Sequence, residues 1–387
     1  MADKNKTATS DHHPIRVLHI AFTMKPRGTE TWLMNILRNI DRKKIQMDFV
    51  TVDGETGFYD EEIRSLGGTI YPLPTPADKP KFLKAFRELL KTEKYDIVHG
   101  HPYHFCGLLM REAHHAGVPV RITHSHTDRR ENDREKSWIK SFYSHLMGKM
   151  IRQYSTHGFA ASEKAAESLF GKKWQEDKRF QLMFCGVDFD RFDNKSNENP
   201  RKSLGIPPSG KVIAHVGGLY FEKNHDLILR LFSDIAASDL KAYLLLIGDG
   251  PLKKSLEDQA MRLGITDRVI FTGARDDVPN LLSASDLFIF PSLFEGLGLS
   301  LVEAQAAGLP CLIADTIPPE AIINPELITI LSLDDDIGVW LEKARSLLKP
   351  ENSNKENSLA KAKASVFSID KNIADITEFY ESVTRNA

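Results

Sequence analysis

The chain runs through two long series in which short β-branched segments alternate with helical patterns, and a polar stretch separates the two series. Parallel strands need a crossover to connect them, and a helix supplies it, so this alternation predicts parallel sheets covered by helices. Strand-like runs fall at 16–22, 45–52, 69–73, 97–101, 120–126, 158–161 and 180–185, and a helical pattern runs from about Thr29 to Ile40. The second series has runs at 211–216, 242–247, 268–271, 287–290, 311–314 and 328–331. Between them, 188–208 (DFDRFDNKSNENPRKSLGIPP) is charged and proline-bearing, as linkers are. A chain of 387 residues also exceeds one ordinary core. The expectation is an α/β protein of two Rossmann-like, doubly wound domains, 14–187 and 209–367, facing a central cleft. Ligands of open α/β sheets bind beyond the carboxyl ends of the strands, which places the site in that cleft.

The termini and composition narrow the class. Residues 1–13 are polar and lack a signal-peptide apolar core, so they read as a disordered leader. The tail, 368–383, reads as a helix whose apolar face is spaced by Ile369, Ile373, Ile376 and Phe379, with Ser368 as its cap. A net charge of −2 exerts no global pull toward nucleic acid. Cys106, Cys185 and Cys311 are odd in number and dispersed, which disfavours structural zinc and a disulfide framework and fits a reducing compartment. No run of about 18 apolar residues appears, and the expected location is cytoplasmic.

One helical stretch has two readings. Trp138, Ile139, Phe142, Tyr143, Leu146, Met147 and Met150 form a stripe at helical spacing, accompanied by Lys136, Lys140, Lys149 and Arg152. Such stripes are usually core, so the favoured reading is a core-facing helix with a solvated edge. The competing reading is a docking face for an anionic membrane surface, peripheral on its inner side.

The segment 287–315, LFIFPSLFEGLGLSLVEAQAAGLPCLIAD, carries the most chemistry. It reads as strand, glycine-rich turn, helix and strand. Gly296 and Gly298 permit close backbone approach, and the free N–H groups of a helix starting near Leu299 favour an anion. Glu295 and Glu303 bracket the turn as acceptors for sugar and ribose hydroxyls. Two plainer readings compete: Ser300-Leu301-Val302-Glu303 fits a capping box, and Glu295 fits an ordinary loop carboxylate. Lys223, between a strand and a helix in HVGGLYFEKNHDLI, is placed to meet a phosphate or is merely exposed.

The Glu-x7-Glu pattern in PSLFEGLGLSLVEAQAAG resembles the hallmark of family 4 glycosyltransferases, retaining enzymes of GT-B fold, and of bacterial exopolysaccharide and capsule enzymes in particular. GTETWLMNILRNID, YDIVHGHPYHF, GVPVRITHSH, LLLIGDGPL and VIFTGARDDVP support it along nearly the whole chain. The resemblance implies transfer of a sugar from a nucleotide-diphosphate donor to a glycan or lipid-linked acceptor, with no obligatory metal or cofactor. It implies that Glu295 contacts the donor sugar, Glu303 the ribose, and Lys223 the diphosphate. Backbone amides around Gly296, Leu297 and Gly298 would meet sugar and diphosphate, and Gly28, Gly250, Arg275 and Leu299 complete the expected donor set. It also implies a histidine at the cleft after ITHSH. His126, as the outer residue, is favoured over His124, and the catalytic set is then Glu295, His126 and Lys223. The last helix would return onto the first domain.

Two positions depart from the family pattern. Gly218 stands where an arginine is usual, a lost charge-assisted contact of about 1.5–3 kcal/mol, or tenfold and more in affinity. Arg27-Gly28 stands where paired glycines are common. Arg275 or Arg27 could supply the missing cation. Failing that, the chain is a silent sugar-nucleotide-binding module. The pairs His99/His101 and His124/His126 each share a strand face, and with them comes a third reading, a metal-dependent hydrolase. No carboxylate has a matching spacing, so cleft-lining or satisfied histidines are expected, with His101, His124 and Arg27 on the acceptor side and no metal.

Overall fold

The computed structural model describes residues 13–75, 78–128, 138–193, 200–349 and 357–385. Leader residues 1–12, Lys136 and linker residues 194–199 lie outside the described residues. Each predicted run is a strand. The first sheet holds β1 (Ile15–Ala21), β2 (Ile45–Thr51), β3 (Ile70–Pro72), β4 (Ile97–Gly100), β5 (Val120–Ser125), β6 (His157–Ala160) and β7 (Phe180–Leu182), in the order β3-β2-β1-β4-β5-β6-β7. The second holds β8 (Lys211–Val216), β9 (Ala242–Ile247), β10 (Val269–Gly273), β11 (Leu287–Phe290), β12 (Cys311–Ala314) and β13 (Ile328–Leu331), in the order β10-β9-β8-β11-β12-β13. All named strand pairs are parallel. Leu287 to Phe290 are buried without alternation, as strands covered on both faces are.

The helices that position the site are α1 (Gly28–Asn39), α2 (Lys79–Glu93), α3 (Cys106–His115), α4 (Trp138–Tyr154), α5 (Glu163–Phe170), α6 (His225–Ser238), α7 (Leu299–Ala306) and α8 (Ile369–Arg385). In each sheet the strand order reverses once, at β1/β4 and at β8/β11, and these switch points are where open sheets bind ligands.

The polar stretch 188–208 is more than a spacer. It contains single-turn helices at Asp190–Asp193 and Pro200–Ser203, and Phe189 and Phe192 bury among its charges. Lys363 pairs with Asp190 and Asp193 at 2.5 and 2.6 Å, tying the outgoing chain to the returning one. At the same crossing the Val187 N–H donates to Phe367 O at 2.7 Å and the Ile369 N–H to Val187 O at 3.1 Å.

The core-facing reading of α4 fails over its first half. Met147, Gly148 and Ile151 are buried, but Trp138, Ile139, Phe142 and Leu146 are 79%, 59%, 64% and 42% exposed. Its second half packs closely on α3, where Gly107 lies so near Met147 that a Cβ would sit 2.8 Å from its carbonyl oxygen.

α8 packs against α1 and is pinned by one buried amide. The Asn372 Oδ1 accepts from Trp32 Nε1 at 2.7 Å and from the Gly186 N–H at 3.3 Å, and its Nδ2 donates to Phe184 O at 2.7 Å. Every one of those partners would be stranded in a dry interior without it, at about 1–3 kcal/mol each. Asn372→Leu is therefore expected to destabilise the chain by roughly 3 kcal/mol, read as a fall in thermal midpoint. A midpoint within a degree of the parent would show that the amide is not the hinge-pin it looks to be.

Candidate active site

The donor half of the site is assembled at the β8/β11 switch point. β8 ends at Val216 and leads through Gly217 and Gly218 to a short turn ending at Lys223. Asn224 follows in the left-handed region (φ 53°) and starts α6, and its Nδ2 donates to Pro291 O at 3.2 Å in the loop after β11. The Leu293 N–H returns a bond to Glu222 O at 2.8 Å. The two loops are thus stitched together, and the Lys223 Nζ meets the Glu295 Oε1 at 2.5 Å. Both side chains are largely buried, at 17% and 9% exposure. A desolvated pair of this kind is strongly destabilised if one partner is removed, and it can be opened without penalty only by a ligand that offers each charge a new partner.

Beyond Glu295 the turn is shaped by its glycines. Gly298 takes φ 93° and caps α7 with no side-chain bond. Because the helix begins at Leu299, Ser300 lies inside it, and the capping-box reading of Glu303 is wrong. Glu303 instead stands partly exposed in the second turn, and desolvation pushes its carboxyl up to about 7 against a small opposing pull from Arg191. Leu297 is buried, and a Cβ on Gly296 would collide with the carbonyl of His126.

The facing half sits at the β1/β4 switch point. His19 and His99 are register partners on β1 and β4, and His101, His124 and His126 follow at two-residue intervals on the same face. The rings form one array: His19 Nδ1 to His101 Nε2 is 3.1 Å, and His101 Nδ1 to His126 Nε2 is 2.9 Å. Cys185 Sγ lies 3.5 Å from His126 Nδ1, and the Tyr380 hydroxyl of α8 lies 2.7 Å from His99 Nδ1. Trp32 covers the array edge-on, its ring centroid 5.1 Å from that of His124. His19, His99 and His124 are fully buried, His101 nearly so, and His126 is the partly exposed member. Desolvation lowers all five, His19 and His126 to about 3, so the array is neutral at pH 7. His19, His99 and His101, or His101, His124 and His126, each bring three ring nitrogens within 4.8 Å of one another, close enough to hold a metal ion. Among the described residues no carboxylate joins either set, and the short N···N distances are those of imidazoles bonded to each other.

Contacts across the cleft involve residues that the sequence did not single out. Ser162 caps α5, accepting from the Ala165 N–H, and its hydroxyl donates to Gly296 O. Lys164 Nζ reaches Thr316 O at 2.8 Å, and the Glu163 N–H reaches Glu320 Oε1 at 3.0 Å. Opposite them, Arg27 at the start of α1 donates to the Tyr220 hydroxyl at 3.1 Å, next to Gly28. Tyr220 fills the space beside Gly218, where a Cβ would lie 2.6 Å from its ring. The tyrosine beside Gly218 thus holds an arginine from the other domain. Arg275, the other candidate, is committed elsewhere: it grips Asp277 with two bonds of 2.7 and 2.6 Å. Gly250 sits where a Cβ would lie 2.6 Å from Leu219 O, so its smallness serves the packing of the loop that carries Tyr220.

These shifts fix the pH response. Between about 4.5 and 7 the folded chain holds a proton on Glu303 that the unfolded chain has lost, so this group's contribution to stability falls as pH rises through that window. Glu303→Gln should raise stability at pH 8 by roughly 1–3 kcal/mol, raise it little at pH 4.5, and weaken nucleotide binding. Equal midpoints for variant and parent at pH 8 would contradict a desolvated Glu303 carboxyl. The histidines act in the opposite sense. They are neutral in the fold but protonated when unfolded below about 6.5, so stability should drop steeply as pH falls from 6.5 toward 3.

With this geometry in hand, the relatives are informative. Residues 26–191 match the family model described as Glycosyltransferase Family 4, and residues 196–365 the one described as Glycosyl transferases group 1. A Bacillus subtilis (strain 168) protein named as the glycosyltransferase EpsF is 34% identical over 332 residues, 84% of this chain and 86% of that one. The UDP-Gal:alpha-D-GlcNAc-diphosphoundecaprenol alpha-1,3-galactosyltransferase of Escherichia coli is 25% identical over 352 residues, 86% and 87% of the two chains. Among solved structures, Anabaena HepE in complex with UDP-glucose superposes with a TM-score of 0.79 at 17% identity, over 95% of this chain and 100% of that one. WaaG, a glycosyltransferase involved in lipopolysaccharide biosynthesis, does so at 0.72 and 21%, over 93% and 99%. At such identities the structural likeness speaks for the fold. Two facing parallel sheets, a matched family model on each half, and a relative one-third identical along most of the chain lead to one conclusion: this protein is a glycosyltransferase of family 4 with the GT-B fold.

Proposed function

We propose that the chain moves a sugar, with retention of anomeric configuration, from a nucleoside diphosphate to a lipid-linked or growing glycan in surface polysaccharide assembly. One observation carries this reading: the Lys223–Glu295 pair, buried at the β8/β11 switch point beside the N-terminus of α7. A sugar diphosphate offers each member what it would lose. Its phosphates replace the carboxylate for Lys223, and the sugar hydroxyls replace the ammonium for Glu295. The names of relatives favour a UDP-sugar and a diphospholipid acceptor, since the Escherichia coli protein is named for that transfer and the HepE structure holds UDP-glucose.

In the proposed reaction the bond from the anomeric carbon to the diphosphate oxygen breaks as the acceptor oxygen bonds that carbon from the same face. The acceptor proton leaves toward the departing phosphate oxygen. Charge growing on the diphosphate is met by Lys223 and by the free N–H groups at the start of α7, which do not have to reorganise. His126, neutral and held by His101, lines the opposite wall. Donor entry requires the Arg27–Tyr220 and Ser162–Gly296 contacts to part, and their return would exclude water. No resident metal is assigned to this chemistry, and activity should survive exhaustive chelation. Loss on chelation with recovery on adding zinc or manganese would instead point to the histidine array.

Gly218 favours a second reading, a silent module that binds nucleotide sugar without turnover. The Arg27–Tyr220 contact supports the active one, with Arg27 as the replacement cation. A thermal-shift screen against UDP-, GDP- and ADP-sugars should single out one donor, because stabilisation grows with the logarithm of ligand over Kd. Glu295→Gln is expected to lose about 10²-fold in turnover and, by leaving Lys223 without its partner, to lower the thermal midpoint of a chain that still folds. Binding in the parent with neither transfer nor hydrolysis across acceptors would establish the silent module. Arg27→Gly should weaken donor binding about tenfold. Adding Gly218→Arg with Tyr220→Ala, to clear the space, should restore it. Undiminished binding in Arg27→Gly would remove Arg27 from the site.

A further inference from the structure

We propose that the first half of α4 is a docking surface for an anionic lipid bilayer and sets the orientation in which the cleft meets its acceptor. Other large exposed apolar side chains, such as Phe58, Phe221 and Leu240, are scattered along the chain. Trp138, Ile139, Phe142 and Leu146, at 42–79% exposure, crowd onto the first nine residues of one helix. Scattered surface apolars need no explanation, whereas a contiguous group marks an interaction face.

The charges around the group select the partner. α4 carries Lys140, Lys149 and Arg152 and no acidic residue over its 17 residues. The neighbouring α2 adds cations: the Lys79 ammonium lies 4.7 Å from the centre of the Tyr143 ring, and Lys81 and Lys84 follow on the exposed side of the same helix. An apolar ridge rimmed by lysines matches an interface that is apolar within and negative at its surface. A second copy of the chain would bring an identical set of cations to the seam, and like charges placed together disfavour it.

Topology supplies the functional link. β5 ends at Ser125, and His126 stands in the cleft just beyond it. β6 starts at His157, just after α4 ends at Tyr154, and runs parallel to β5, so α4 must run back from the carboxyl edge of the sheet to the amino edge. Its exposed start therefore lies at the edge that carries His126. With that end in the interface, a lipid-anchored acceptor would present its head group toward the cleft mouth. This last step rests on the lipid-linked acceptor proposed above. The docking surface itself does not.

The experiment is co-sedimentation of the full chain with phosphatidylcholine vesicles and with mixed phosphatidylcholine–phosphatidylglycerol vesicles. Binding is expected to the anionic vesicles, weakening with salt and reduced at least about tenfold in Trp138→Ser/Phe142→Ser. Lys79→Glu or Lys140→Glu should each reduce it about fivefold. UDP-sugar thermal shifts should match the parent in all three variants, since none touches Lys223 or Glu295, so failure of the docking surface and failure of the transferase reading are separately visible. No binding to anionic vesicles, or full binding by the Trp138/Phe142 variant, would overturn the proposal. So would a dimer in the parent that the same substitutions dissolve, which would assign the face to a second copy.

Discussion

The contact between Gly296 and the backbone of His126 sets the width of everything between the two sheets. Neither residue contributes a side chain to it. A carbonyl at the end of β5 lies against a residue with no Cβ, and Ser162 closes the same seam from the start of α5. Any larger residue at Gly296 would hold the halves apart and move Glu295 relative to the histidines. The glycine-rich turn is therefore a spacer between the halves, and it follows directly on the largely buried Lys223–Glu295 pair.

The facing half is expensive to build. Five imidazoles occupy one face of three adjacent strands, and the buried ring nitrogens His19 Nε2, His99 Nε2 and His124 Nδ1 have no hydrogen-bond partner among the described residues. Unsatisfied buried polar atoms cost stability, and a core of the same shape made from leucine and phenylalanine would avoid it. Neutral imidazoles in line give His126 a neighbour that holds its ring and accepts or donates with little change of position. Trp32 and Tyr380 enclose the array from α1 and α8, so its rigidity depends on elements from both ends of the chain.

Much of this was legible in the sequence. Parallel strands buried on both faces announce themselves as unbroken β-branched runs, and the crossover helices between them leave few topologies to choose from. The turn at 295–298 was readable because glycine spacing and acidic residues are local signals. Three things were not readable, each for a physical reason. Periodicity on α4 reports that Trp138, Phe142 and Leu146 share a face but not whether anything covers it. The Arg27–Tyr220 contact joins residues 193 apart across two domains, and no local pattern encodes it. Arg275 looked free for a ligand because its partner, Asp277, sits two residues away in a run that reads as ordinary loop acid.

The position of Asn372 has a consequence for how this protein comes into being. The indole N–H of Trp32 waits 340 residues for the oxygen that satisfies it, and the hydroxyl that meets His99 arrives 281 residues after that ring. As the polypeptide leaves the ribosome, the first domain can lay down its sheet but must keep a seam of α1 and the histidine face uncovered until α8 emerges. The donor-side domain is finished first, although its sequence comes later. Completion of the opening domain thus waits on the return of α8, and a deletion that removes α8 would be felt at α1 and at the histidine face.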